Sequence, residues 1–237
     1  MSKSIFWAGD STVKENDFTT YPQTGIGQGM HLFTKKEVLI NNYAENGRST
    51  KNFIDESRLA VIYDEIRKDD FLFIQFGHND GKIEDPNRYC EAFGEYQENL
   101  EKFVNVARNR KAHPVLITPL CRRWFQGNNQ LQEDIHGDYP KAMIDTAQRL
   151  DVPYIDLFSA SVDCLKSLGI DGSKKLFMNL IASDYVNYPE GLDDNTHLRY
   201  EGAVLFANII ALELKNLGGI YGELLLTPDK LLNLRRI

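Results

Sequence analysis

Four short polar segments carry the residue types that nucleophilic catalysis on a carbonyl would need: Gly9-Asp10-Ser11, Asn46-Gly47-Arg48-Ser49, Gly77-His78-Asn79-Asp80 and Asp194-Asn195-Thr196-His197. A serine hydroxyl such as that of Ser11 is a poor nucleophile until a base removes its proton. Asp194 and His197 are three residues apart, a spacing that places them side by side on a tight loop or a first helical turn. A carboxylate on one imidazole nitrogen fixes the tautomer, and the other nitrogen can then accept a serine proton. The amide of Asn79 and a backbone N–H exposed at Gly47 are the kinds of donor that hold a developing oxyanion. Taken singly, each segment also reads as plain structure. Asp10, Ser11 and Thr12 suit a turn, Ser49 or Thr50 a helix cap, and Asn79 and Asp80 a turn. Asp194 or Asn195 can cap a following helix, and His78 can be a hydrogen-bonded structural histidine. The Gly-x-Ser-x-Gly elbow is absent.

What would position these segments is an alternation of strand and helix patterns. Apolar runs at Ile5–Ala8, Val38–Asn42, Phe71–Phe76, Val115–Thr118 and Val152–Ile155 predict five buried strands. Between them, three- and four-residue apolar steps predict helices over 87–109, around Leu59–Ile66, around Ala142–Leu150 and over Ala203–Leu217. Strands alternating with helices imply an α/β fold, a parallel sheet with both faces covered. Ligands of such a sheet sit at the carboxyl ends of its strands, where three of the four segments fall. With no repeat and no Pro/Gly/Ser-rich linker, residues 1–237 are expected to form one domain.

Composition narrows the function further. The 237 residues carry a net charge of −7, which gives no electrostatic footprint for nucleic acid. No apolar stretch approaches the ~20 residues of a membrane span. The four apolar residues after Lys3 fall short of a signal-peptide core, so a cytoplasmic location is expected. Cys90, Cys121 and Cys164 have neither disulfide nor zinc spacing. The acidic and histidine residues lack paired ligand spacing, so no metal site is expected. An oligomer is possible but not indicated. The C-terminal stretch Leu224–Ile237, with Leu231, Leu232 and Leu234 ahead of Arg235-Arg236, is expected to pack on its own domain.

Together the segments resemble the SGNH subgroup of the GDSL hydrolases, and within it the rhamnogalacturonan acetylesterases. The matching stretches are GDSTV (9–13), GIGQ (25–28), NGRST (46–50), FIQFGHND (73–80), VLITPLCRRWF (115–125) and DNTHL (194–198). The resemblance implies a three-layer α/β/α sandwich with a flavodoxin-like, five-stranded parallel sheet. It implies Ser11 as nucleophile, His197 as base and Asp194 as its partner, with the N–H groups of Ser11 and Gly47 and the Asn79 side chain as oxyanion hole. It implies hydrolysis of acetyl esters on pectic, rhamnogalacturonan-type oligosaccharides, with no cofactor. Arg122, Arg123, Trp124 and His78 are the candidates for substrate contact, the arginines because their forks suit a galacturonate carboxylate. Ile26 stands where the family often has Trp, which leaves the substrate-facing wall open. Three alternatives remain: deacetylation of another glycan such as xylan, a general short-acyl esterase or thioesterase, and a non-catalytic carbohydrate-binding protein on the same scaffold.

Overall fold

The alternation of apolar residues along the third predicted strand decides the layering. In β3 (Phe71–Gln75), Phe71 and Phe73 face one way and Leu72 and Ile74 the other, and all four are fully buried. A strand buried on both faces needs a helical layer on each side. The computed structural model, which describes residues 3–127 and 129–227, has that arrangement. β3 pairs in parallel with β1 (Ser4–Gly9) and with β4 (His113–Ile117). β2 (Leu39–Asn42) lies outside β1, and the two-residue β5 (Tyr154–Ile155) lies outside β4. The sheet order is therefore β2-β1-β3-β4-β5, a doubly wound, flavodoxin-like sheet.

Helices cover both faces of the sheet. Ile5, Trp7, Phe71 and Phe73 pack against α1 (Ile26–Met30), α6 (Leu157–Lys174) and α7 (Tyr200–Leu217). Phe6, Leu72, Ile74 and Leu116 pack against α2 (Thr50–Asp55), α3 (Arg58–Glu65), α4 (Gln97–Asn109) and α5 (Tyr139–Leu150). The result is a three-layer α/β/α sandwich. Among the described residues, no helix is long and apolar enough to cross a membrane.

The structure differs from the sequence reading in particular places. The helix expected over 87–109 begins in earnest only at Gln97. Arg88 and Tyr89 both donate their N–H to Asp85 O in a turn, and Gly94 takes the non-helical angles φ −146°, ψ −115°. The long helix α6 was not expected. Asp156 caps it by accepting from Ser159 N at 3.1 Å, but Gly169 at φ +67° interrupts it and blurs its periodicity. Two antiparallel hairpins also went unforeseen, a small one pairing Phe125–Gln126 with Gln130–Leu131, and β6 (Phe177–Leu180) with β7 (Leu192–Leu198). Ile26 is wholly buried on α1 and packs into the core, so it is no part of a substrate-facing wall. Leu224 and Leu225 pack on the same core layer; Leu231, Leu232, Leu234, Arg235 and Arg236 lie outside the described residues.

One buried acid fastens the strand ends to the helical layer. Asp80, beyond β3, accepts from Thr50 N at 2.8 Å and from Thr50 Oγ1 at 2.6 Å, at the first turn of α2. Its other oxygen is buried without a partner. Burial pushes the carboxyl up to about 7, with the nearby Asp10 acting in the same direction and the Thr50 bonds opposing. Between the ordinary carboxyl range and about 7 the folded chain then holds a proton that the unfolded chain releases. Stability should therefore fall as pH rises through that window. Asp80→Asn is expected to flatten this loss, measured as the difference in unfolding free energy by urea titration at about pH 5 and about pH 8.

Candidate active site

β1 ends at Gly9, and the chain turns sharply there. Val13 and Lys14 N–H both donate to Asp10 O, and Thr12 donates its N–H and Oγ1 to Asp10 Oδ1 at 2.9 and 2.8 Å. This turn holds Ser11, 8% exposed, at the carboxyl end of β1, next to the central strand β3. Asp10 itself points down, with Oδ2 3.2 Å from His78 Nδ1. Burial alone would raise the Asp10 carboxyl, but the adjacent His78 ring and the Thr12 bonds outweigh it and hold the acid below its ordinary range.

The partners of Ser11 arrive from the far end of the chain. Phe177 pairs with Leu198 and Asn179 with Asp193, so two residue steps on β6 face five on β7. The surplus bulges out at 194–197. The expectation of a tight loop or helical turn is thus corrected to a bulged strand just ahead of α7. Within the bulge Asp194 Oδ1 accepts the N–H of Thr196 at 2.8 Å and of His197 at 3.0 Å, as an Asx turn does. Asp194 Oδ2 meets His197 Nδ1 at 2.6 Å, and His197 Nε2 meets Ser11 Oγ at 2.9 Å. Half-burial would raise the Asp194 carboxyl, yet the His197 and Thr196 bonds hold it below its ordinary range, so it stays an anion at neutral pH. That charge suits an imidazole which must become positive on taking a proton.

Gly47 and Asn79 line the same cleft, of about 490 Å³, as Ser11, Asp194 and His197. Gly47 has φ +74°, a conformation that favours glycine. Asn79 donates from Nδ2 to Arg48 O at 3.0 Å, which locks the amide in place. Neither the Ser11 nor the Gly47 N–H donates to a protein acceptor among the described residues. The cleft can therefore offer backbone and amide donors to a group bound in it. No group of three or more potential metal-ligating side chains gathers among the described residues.

The four candidates for substrate contact separate. Arg122 lines the cleft, with Nη2 donating to His78 O at 3.2 Å. His78 touches the cleft wall, but it is buried against Asp10 and edge-on to His136, and so acts first as floor. Arg123 is 5% exposed and does not line the cleft; it borders a neighbouring groove. Its guanidinium donates to Ser173 Oγ at 2.9 Å, Asn195 Oδ1 at 2.6 Å and Ile170 O, and its N–H donates to Asn195 O at 2.8 Å. Those bonds brace the 194–197 bulge. Trp124, 51% exposed, lies in a neighbouring groove with Ile170, Lys174 and Leu192, on the other side of that bulge. Sequence reasoning missed Lys82, Arg88, Gln23 and Asn46, which also line the cleft. Lys82 follows Asn79 by three residues at a strand end, a usable signal; Arg88 sits in the stretch misread as helix.

Comparison with known proteins gives the chain's family. The chain is 38% identical to the rhamnogalacturonan acetylesterase RhgT of Bacillus subtilis, over 90% of each chain. It is 36% identical to YesY, a probable rhamnogalacturonan acetylesterase of the same organism, over 92% of this chain and 95% of that one. Among solved structures, the B. subtilis YxiM protein superposes with a TM-score of 0.77 at 24% identity, covering 92% of this chain and 57% of that chain, a likeness of fold. Residues 8–203 match the GDSL-like lipase/acylhydrolase family, and the chain belongs to that family.

Proposed function

We propose that this chain is a carbohydrate O-acetylesterase that removes acetyl groups from pectic, rhamnogalacturonan-type oligosaccharides. The observation that carries the chemistry is the continuous chain of contacts from Asp194 through His197 to Ser11 Oγ, 2.6 and 2.9 Å long, opening into one cleft. The names of the two B. subtilis relatives support the substrate.

In this reading Ser11 Oγ attacks the acetyl carbonyl while His197 Nε2 takes its proton and Asp194 stabilises the imidazolium. The oxyanion is held by the Ser11 and Gly47 N–H groups and the Asn79 amide. His197 then gives its proton to the departing sugar hydroxyl, leaving acetyl on Ser11. Water, deprotonated by the same imidazole, releases acetate and restores the serine. The whole chain acts as one hydrolase domain. Its free cysteines, two of them buried, fit a reducing compartment, and with it action on short fragments inside the cell.

Ser11→Ala is expected to lower kcat for acetate release from an acetylated rhamnogalacturonan oligosaccharide by more than ~10³-fold, and Asn79→Ala by ~10²–10³-fold. A serine-directed reagent should label the wild type at Ser11 alone. Near-native turnover by Ser11→Ala would overturn the mechanism. Arg123→Met removes the brace behind the bulge, so kcat is expected to fall by about 10–10²-fold with KM little changed, checked by steady-state kinetics on a variant with the wild-type circular dichroism spectrum. Equal turnover of acetylated xylan fragments would overturn the substrate assignment.

A further inference from the structure

Three cations from three separate segments border the cleft beside Ser11: Lys82 beyond β3, Arg88 in the turn closed on Asp85, and Arg122 beyond β4. They stand out against a chain whose net charge is −7. Arg88 lies over Gly47, where an added Cβ would stand 3.5 Å from its Cζ and from both Nη atoms. Its Nε contacts Asp85 Oδ2 at 2.9 Å, and the equal distances to Cζ and both Nη place the flat face of the guanidinium over Gly47. Arg122 gives Nη2 to His78 O, and its Nε is buried without a partner. Lys82 has no carboxylate within salt-bridge distance among the described residues. Asp194, the acid that lines this cleft, is engaged by His197.

The three charges also strain one another. Burial, Arg88 and Arg122 together hold the Lys82 ammonium below its ordinary range, although Glu84 and Asp85 favour its charge. Partly desolvated like charges held close together are stabilised by an anion between them. The developing oxyanion alone does not account for the arrangement. Lys82 and Arg122 also line an adjoining pocket of about 310 Å³ with Gly81, Glu84, Ile135 and His136, which lacks Ser11 and His197. The positive charge therefore extends past the reacting atoms.

We propose that Lys82, Arg88 and Arg122 form one carboxylate-binding subsite, which selects acetylated oligosaccharides bearing a free uronate carboxylate on, or next to, the acetylated ring. The two arginine forks supply directional hydrogen bonds and the lysine a point charge. This subsite rests on the acetylesterase reading and adds that the enzyme reads the charge state of its substrate.

The test compares acetate release from one acetylated galacturonate oligosaccharide as the free acid and as its methyl ester, at low and high salt, with 4-nitrophenyl acetate alongside. Methyl esterification removes the charge and leaves the acetyl group, ring and linkage in place. The free acid is expected to be preferred by about tenfold or more in kcat/KM, mainly through KM, with the preference shrinking at high salt. The same ratio should fall several-fold in Lys82→Met and in Arg88→Met, and keep its wild-type value in Lys215→Gln, at the far end of α7. Equal rates on the two forms, or a preference that survives both substitutions, would overturn the subsite. Failure to release acetate from either form or from 4-nitrophenyl acetate would instead overturn the esterase reading, and is distinguishable because it leaves no rates to compare.

Discussion

The Asp194 carboxylate accepts three hydrogen bonds, from the Thr196 and His197 N–H groups and from the His197 ring. Two of them shape the backbone and the third sets the imidazole. The same oxygens that curl the bulge thus aim Nε2 at Ser11, and neither function can be altered alone. Much of the surrounding structure serves this one group. The unequal steps of β6 and β7 create the slack that the carboxylate gathers. Arg123 clamps Asn195 from behind through both its side chain and its backbone. α7 follows directly at Tyr200 and buries its apolar face on the sheet, so the bulge is anchored on both flanks.

On the opposite bank the anchoring is done by buried polar groups under the strand ends. Asp10 turns the chain after β1 and faces His78, while Asp80 reaches across to Thr50. Two acids in one dry region take opposite protonation tendencies: each accepts from a threonine hydroxyl and N–H, but Asp10 has the His78 ring beside it, whereas burial and the neighbouring Asp10 prevail at Asp80. These contacts tie the first, second and third strand ends into one floor. Ser11, Gly47 and Asn79 stand on that floor, which is why residues distant in sequence share a cleft.

The parallel sheet was legible because its strands are short apolar runs buried on both faces, a signal that survives without any partner being known. Ser11, Gly47, Asn79, Asp194 and His197 were readable as a set because each falls next to an element end and has the chemistry for a different part of the proposed reaction, and they line one cleft. What the sequence hid has physical causes. The bulge is a mismatch between two strands and leaves no mark in either strand alone. α6 conceals its period behind Gly169. Arg123 and Arg122 are neighbours with the same side chain, yet one fork is buried against Asn195 and the other borders the cleft, a difference that tertiary packing alone determines. Arg88 was placed on a helix that its own turn onto Asp85 prevents.

Ser11 and His197 stand 186 residues apart and meet only across the finished fold. During synthesis the serine leaves the ribosome early, with the first strand, and the histidine emerges only shortly before the last long helix. Until β7 has paired with β6 and α7 has docked, the Ser11 hydroxyl lacks its His197 contact. On the proposed mechanism, activity would therefore begin only once the two ends of the molecule have been joined.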